Sequence, residues 1–322
     1  MKRFLATVLG SIALVASTHA DGRNPGSLIV FPEFRFGNGV DTIITITNTH
    51  PTEPTTLHIN YVSGVPGPTL CNPRDRLVQL RPLDTFTALV SVHNLGGAPQ
   101  GYVFAFAEGS NGARSFNFLV GDTLTVDATL TSLYSVEPLV FRSPLALNAA
   151  TDVDMDGIRD LNGNEYERAP DQILIPRFIG QSTTYTSDLV LVALSGGRRF
   201  QTIVDFLAFN DNEEIFSAQY EFTCWDRAPL TVINGIFTKN FLQLATNQNT
   251  NEILGATTEE SGWIWINGHV ASSTTTDIPD PAILAVLVER SAAAKVGGSL
   301  PFFKGTQLRG DLLPTGNSWD GD

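Results

Sequence analysis

The chain repeats itself. Ile29-Val-Phe-Pro-Glu-Phe34 returns as Ile173-Leu-Ile-Pro-Arg-Phe178, 144 residues on. Cys71-Asn-Pro-Arg-Asp-Arg76 is answered by Cys224-Trp-Asp-Arg227 at an offset of 153. Gly101-Tyr-Val-Phe-Ala105 is answered by Gly262-Trp-Ile-Trp-Ile266 at 161, and Val140-Phe-Arg142 by Phe302-Phe-Lys304 at 162. The offsets grow and never reverse, as they do when a unit is duplicated and its loops then gain small insertions. The competing reading is one larger all-β domain whose apolar strands merely resemble one another. At 322 residues the chain has room for two ordinary domains.

The repeated unit is built of strands. Thr42-Ile-Ile-Thr-Ile-Thr47 is β-branched throughout. Leu57-His-Ile-Asn-Tyr61 alternates apolar and polar with the period of a half-buried strand. Pro32 inside the first strand points to an edge or a bulge. Further strands are expected at Tyr102–Phe106, Ser115–Val120, Leu124–Thr129 and Val136–Phe141, and after the midpoint at Ile173–Phe178, Leu189–Ala193 and Gln201–Phe209. Leu83–Leu95 and Leu124–Tyr134 escape Gly and Pro, yet they alternate as readily as they spiral. Short strands divided by Gly, Pro and Asn turns define an all-β chain. The expected architecture is two tandem immunoglobulin-like β-sandwiches, residues 21–148 and 170–322, joined by an acidic junction at 149–169.

Residues 1–20 read as a signal peptide. Lys2 and Arg3 precede an apolar run from Phe4 to Val15, and Thr18-His19-Ala20 places small residues at the −3 and −1 positions. The run is too short to span a bilayer, and the C-terminal Gly316–Asp322 carries no apolar sorting tail. Removing residues 1–20 takes away Lys2 and Arg3 and no acidic residue, moving the formal net charge from −13 to −15. Such a field repels nucleic acid and anionic membranes and favours cations. An exported chain is expected, periplasmic, at the cell surface or extracellular, without membrane insertion.

Between the copies lies Asp152-Val-Asp154-Met-Asp156-Gly157-Ile158-Arg-Asp160. Counting Asp152 as position 1, carboxylates stand at 1, 3, 5 and 9, and glycine at 6 gives the sharp turn. Calcium takes six to eight oxygens in such a loop. Ile158 at position 7 offers its carbonyl, and Asp160 a direct or water-mediated oxygen. This stretch resembles the calcium loops of dockerins and thrombospondin type 3 repeats, over about 14 residues. The resemblance implies a structural calcium ion held by Asp152, Asp154, Asp156, Ile158 and Asp160. Position 12 is Gly163, which leaves Glu165 at position 14 to offer the bidentate carboxylate. The alternative is a solvated acidic linker.

Two further pairs stand out. Cys71 and Cys224, at matching positions in the copies, are the only cysteines. In an oxidising compartment they are disulfide candidates that would join the halves near a pseudo-twofold axis; otherwise they are two buried thiols. Trp263 and Trp265 project from one face of a strand, as a ligand platform or as core. Their counterparts Tyr102 and Phe104 favour core. No G-x-S-x-G, H-E-x-x-H or phosphate-binding loop occurs, and His50, His58, His93 and His269 are scattered. Glu213-Glu214 and Glu259-Glu260 read as solvated loop residues. The sequence identifies no reaction. It leads to an exported, non-catalytic protein with a structural or adhesive role and a calcium-stabilised junction, whose partner would be a surface or matrix component, a glycan or a second copy. The alternative is a carbohydrate-binding module or a β-sandwich glycosidase.

Overall fold

The computed structural model describes residues 24–129, 132–210, 213–245 and 259–291, with the backbone of short strands at 296–299, 303–304, 307–308 and 311–312. The expected signal peptide and Gly316–Asp322 lie outside the described residues, as does Phe302. The fold is all-β, with antiparallel sheets in a sandwich-like arrangement.

In the first half, β1 (Leu28–Arg35), β2 (Val40–Asn48), β3 (Thr55–Ser63), β4 (Pro73–Leu80) and β5 (Thr85–Leu89) lead to the one-turn helix α1 (Val90–His93). There follow β6 (Gln100–Gly109), β7 (Gly112–Ala113), β8 (Leu119–Asp127), β9 (Ser132–Tyr134) and β10 (Leu139–Phe141). Two short strands, β11 (Arg159–Asp160) and β12 (Ala169–Pro170), cross the acidic junction. The second half holds β13 (Gln172–Ile179), β14 (Tyr185–Ala193), β15 (Gln201–Asn210), β16 (Ile215–Phe222) and β17 (Trp225–Pro229), then α2 (Leu230–Ile233) and α3 (Lys239–Ala245). It continues with β18 (Ser261–Ser272), β19 (Asp277–Pro279), β20 (Ile283–Ser291), β21 (Val296–Ser299) and β22 (Phe303–Lys304). The last strands are β23 (Gln307–Leu308) and β24 (Asp311–Leu312).

The sheet order of one half recurs in the other. The first half forms β10-β1-β6-β3-β4 and β5-β2-β8-β9; the second forms β22-β13-β18-β15-β16 and β17-β14-β20-β21. Even the irregularities match. A register shift falls between Phe31 and Phe34 and again between Ile175 and Phe178, around Pro32 and Pro176. Pro32 sits in the bulge between β1 and β6, just beyond Leu28–Val30, the residues that pair with β10.

Three apolar clusters show how the sheets stack. One lies between the two sheets of the first half and includes Ile29, Phe31, Ile44, Ile59, Val103 and Ala105. Its counterpart in the second half includes Ile175, Leu191, Phe206, Ile264 and Leu287. The third lies between the halves, where Leu28, Val30, Phe104 and Phe106 meet Val190, Val192, Leu284 and Val286. Four sheets are therefore layered, with β1 and β6 packed against β14 and β20. These four strands are buried on both faces and read as nearly unbroken apolar runs. Strands β2 and β15, in the outer layers, alternate.

Three expectations need correction. The faces that meet are not equivalent: the β1/β6 sheet packs on the sheet equivalent to β2/β8. A twofold would pair like faces, so the halves stack head to tail. Ser115–Phe118 is loop, because Phe116 N–H donates to the Ser27 hydroxyl (2.7 Å) and not to a strand; pairing begins at Leu119. The cysteines are not at matching positions: Cys71 lies between β3 and β4, whereas Cys224 lies between β16 and β17, the counterparts of β4 and β5. Leu83–Leu95, open between strand and helix, divides into β5 and α1. Among the described residues no helix is long and apolar enough to cross a membrane.

Candidate metal centre

The acidic loop is folded by its own side chains. The Asp152 carboxylate accepts from Gly157 N–H (3.3 Å), Asp154 from Asp156 N–H (3.3 Å), and Asp156 from Ile158 N–H (2.6 Å). Each aspartate thus bonds backbone two to five residues ahead, which suits its short acceptor arm. Met155 and Gly157 have φ of 64° and 83°. Gly157 adopts this left-handed conformation without a Cβ penalty.

These turns bring Asp152, Asp154 and Asp156 together, with one oxygen of each within 4.8 Å of the others. Two oxygens bound to one calcium at 2.3–2.6 Å from it can be that far apart, so the cluster fits a shared ion. Asp160 and Glu165 are not part of it. Both are buried, and the Glu165 carboxylate accepts from the backbone N–H groups of Val153 and Asp160. Burial pushes the Glu165 carboxyl up to about 7 against the pull of those two donors. Asn162 Nδ2 donates to Asp160 (3.1 Å). The side chain two residues past position 12 therefore returns over the loop, because the turn at Asn162–Asn164 absorbs the extra length. A cleft of about 370 Å³ lies between the groups, lined by Val153, Asp154, Asp160, Asn164, Glu165 and Arg168 among others. Ile158 is half-buried.

The loop's anchors carry no signature in the sequence. Arg159 is buried, pairs with Asp152 at 3.1 Å and lies over the Phe106 ring at 5.2 Å. Leu161, Tyr166 and Ala169 belong to the cluster between the halves. The Tyr166 hydroxyl meets that of Thr151 at 2.8 Å. The C-terminal strands clasp the loop from outside: β24 pairs with β11 and β23 with β12. The junction is thus wedged into the rim of the interface and is not a free linker.

Cys71 and Cys224 are joined by a disulfide, with Cα atoms 5.8 Å apart. Both have φ close to +62° and lie in the cluster between the halves. Beside them the halves share a polar lock. Glu33, 1% exposed, faces Arg227 from the other half, and Arg227 also donates to Asp188 (2.8 and 3.0 Å) and to the Tyr134 hydroxyl (2.9 Å). Tyr134 in turn donates to Glu33 (2.9 Å), and Arg290 to Asp188 (2.7 Å). Burial disfavours the charged guanidinium of Arg227, but Glu33 foremost, with Tyr134 and Asp188, outweighs it and raises its pKa. The duplicated motif concealed this lock, since Glu33 corresponds to Arg177, which pairs with Glu289 near the surface.

Trp263 and Trp265 are 37% and 36% exposed, so the core reading favoured by their counterparts is wrong. The β6 face bearing Tyr102 and Phe104 is covered by the second half, whereas the equivalent β18 face is an outer surface. Glu259 and Glu260 are buried, contrary to the solvated-loop reading, and Glu213 is exposed. The histidines do not converge: His93 bonds Tyr61, and His269 pairs with Asp205. The chain matches no protein-family model and no curated protein.

Proposed function

We propose that this is an exported, non-catalytic protein whose two immunoglobulin-like sandwiches form one rigid structural or adhesive body, with a calcium ion bound at the junction. The carrying observation is the convergence of Asp152, Asp154 and Asp156 on a loop wedged between the halves. Asp152, Asp154 and Asp156 are the ligands brought together; Ile158 would add its carbonyl, and Asp160 and Glu165 the remaining oxygens, directly or through water. The ion's part is to offset three clustered carboxylates, of which Arg159 reaches only Asp152. It does not have to hold the halves together, since an apolar core, a disulfide and the Glu33–Arg227 pair already do so.

The disulfide agrees with an oxidising compartment outside the cytoplasm, and the stacked body with a surface or matrix role. The immunoglobulin likeness rests on β2 beside β5 and β3 beside β6, as strands B–E and C–F lie in that fold. Placing β8 beside β2 and β1 beside β6 is this chain's own arrangement.

Calorimetric titration tests the ion. Expected is one site with Kd on the order of 10⁻⁴–10⁻³ M, absent from the Asp154→Asn/Asp156→Asn variant. At about 10 mM calcium such a site stabilises the fold by about 1.5–3 kcal/mol. No heat and no thermal shift at that concentration would remove the calcium reading.

A further inference from the structure

We propose that the outer face of the β13–β18–β15–β16 sheet is a binding site for a neutral glycan, with Trp265 as its stacking platform. The site is independent of the calcium reading.

The comparison between the halves carries the inference. In the first half, Leu28, Tyr102, Phe104 and Phe106 occupy this face and are buried under the second half. In the second half the same register positions hold Gln172, Trp263, Trp265 and Asn267. A face awaiting another protein sheet would keep the aliphatic and aromatic set that packs so well in the first half. Here Gln172 and Asn267 are amides instead and the aromatic pair has been enlarged, while Val30 and Asn60 of the first half are answered by Leu174 and Leu207, which flank Trp265. The complementary end of the stack is no match for it either. Where the second half offers Val190, Val192 and Val286, the outer β2/β8 face of the first half offers Thr45, Thr47 and Asp122 at the same register positions. Head-to-tail stacking of a second copy would therefore set threonine and aspartate against tryptophan.

A groove of about 640 Å³ runs along this face. Gln172, Asp205, Ser217, Gln219, Trp265 and Asn267 line it. That volume is in the range of small-molecule sites, and the lining combines an apolar surface with a few convergent polar groups. The two tryptophans differ in role. Trp263 has one face covered by Phe209, whose ring is 4.0 Å away and parallel to within 3°. No aromatic ring stacks on Trp265 among the described residues. Its cross-strand neighbours are Leu174 and Leu207.

The chemistry of a pyranose fits this lining. Its C–H faces are apolar and carry slight positive charge, so they pack on the negative face of an indole. Its hydroxyls each donate and accept, and they need planar groups that do both. Amides meet that need, and a carboxylate accepts strongly. Asp205 is held in place by Gln219 Nε2 (2.7 Å) and His269 Nδ1 (3.0 Å), which pre-orients two of the polar groups. Charge sets the class of sugar. The groove's one ionic side chain is Asp205, and neither Lys nor Arg lines it. A uronate or sulfated chain would meet the Asp205 carboxylate, with neither Lys nor Arg in the groove to offset the repulsion, in a protein of net charge −13. A neutral chain incurs no such penalty.

The test is a printed array of neutral and acidic glycans, followed by calorimetry with soluble tri- to hexasaccharides of the best hits. Full-length exported protein is used, with and without calcium. The expected result is binding confined to neutral chains. It falls at least tenfold in Trp265→Ala and in Gln219→Ala, and it persists in Asp154→Asn/Asp156→Asn. Gln219 is exposed, so that variant keeps the test meaningful if Trp265→Ala fails to fold. Absence of binding to any neutral glycan at millimolar concentration overturns the proposal. So does preference for acidic chains, or binding unaffected by either variant. Light scattering covers the remaining occupant: self-association of the native chain that Trp265→Ala abolishes would assign the face to a second copy.

Discussion

Arg227→Met is the sharpest probe of how the two halves are held together. Arg227 comes from the second half and Glu33 from the first, and the glutamate side chain is fully buried. The substitution keeps most of the volume and removes the charge. Glu33 then retains the Tyr134 hydroxyl at 2.9 Å and the more distant Arg35 at 4.0 Å, while Asp188 retains Arg290 at 2.7 Å. Removing one partner of a buried ion pair costs about 3–5 kcal/mol, chiefly because the other charge is stranded. The surviving partners place this case at the lower end, about 3 kcal/mol. Urea unfolding followed by tryptophan fluorescence is the assay. Trp225 is a well-placed reporter, since it is buried in the interface and its Nε1–H donates to Pro32 O at 2.8 Å. The double variant Glu33→Gln/Arg227→Met removes the stranded charge, so it should lose less than the two single losses added, by about 1–3 kcal/mol. Added salt should change the native stability contribution little, because screening acts weakly on a buried pair. A loss under about 1 kcal/mol in Arg227→Met, or strict additivity in the double variant, would refute the claim that this pair is a desolvated lock.

Two other perturbations address the same interface. Replacing both Cys71 and Cys224 by serine opens a closure of 153 residues, for which the chain-entropy model gives about 5 kcal/mol; the halves should nonetheless stay docked through their apolar cluster, so a scattering profile of two hinged bodies would contradict that cluster's role. In Gly64→Ala the new Cβ would lie 2.1 Å from Trp225 Cε3, and displacing the indole should cost about 1–3 kcal/mol by overpacking. Gly235→Ala, whose Cβ meets nothing within 4 Å, is the control; equal losses in the two would show that contact with Trp225 is not the cause.

The strands were legible because each local pattern reports local burial. Thr42–Thr47 and Leu57–Tyr61 have the composition and period of strands wherever they end up packing. Ser115–Phe118 has the same composition, yet its hydrogen bonds go to the Ser27 hydroxyl and to the loop at Ser143, Leu145 and Ala149. The aspartates at 152, 154 and 156 were legible as a cluster because they reach backbone only a few residues away. Glu165 was harder. Its place over the loop depends on a turn at Asn162–Asn164 and on burial beside Tyr166, neither of which has a fixed spacing in sequence.

By itself, the sequence determined the all-β class, the repeated unit and the acidic turn. Each depends on neighbours in the chain or on collinear similarity. Only the tertiary structure decided what each copy faces. Because the halves stack head to tail, equivalent strands enter different surroundings. Tyr102 and Phe104 are sealed between the halves, and Trp263 and Trp265 stand at the surface. Glu33 is a buried charge needing Arg227, and Arg177 in the same position lies half-exposed beside Glu289. A duplicated sequence reports the fold of a unit twice. Which faces of the two units meet is set by surface complementarity between residues more than a hundred positions apart, such as Pro32 and Trp225, and no local periodicity records it.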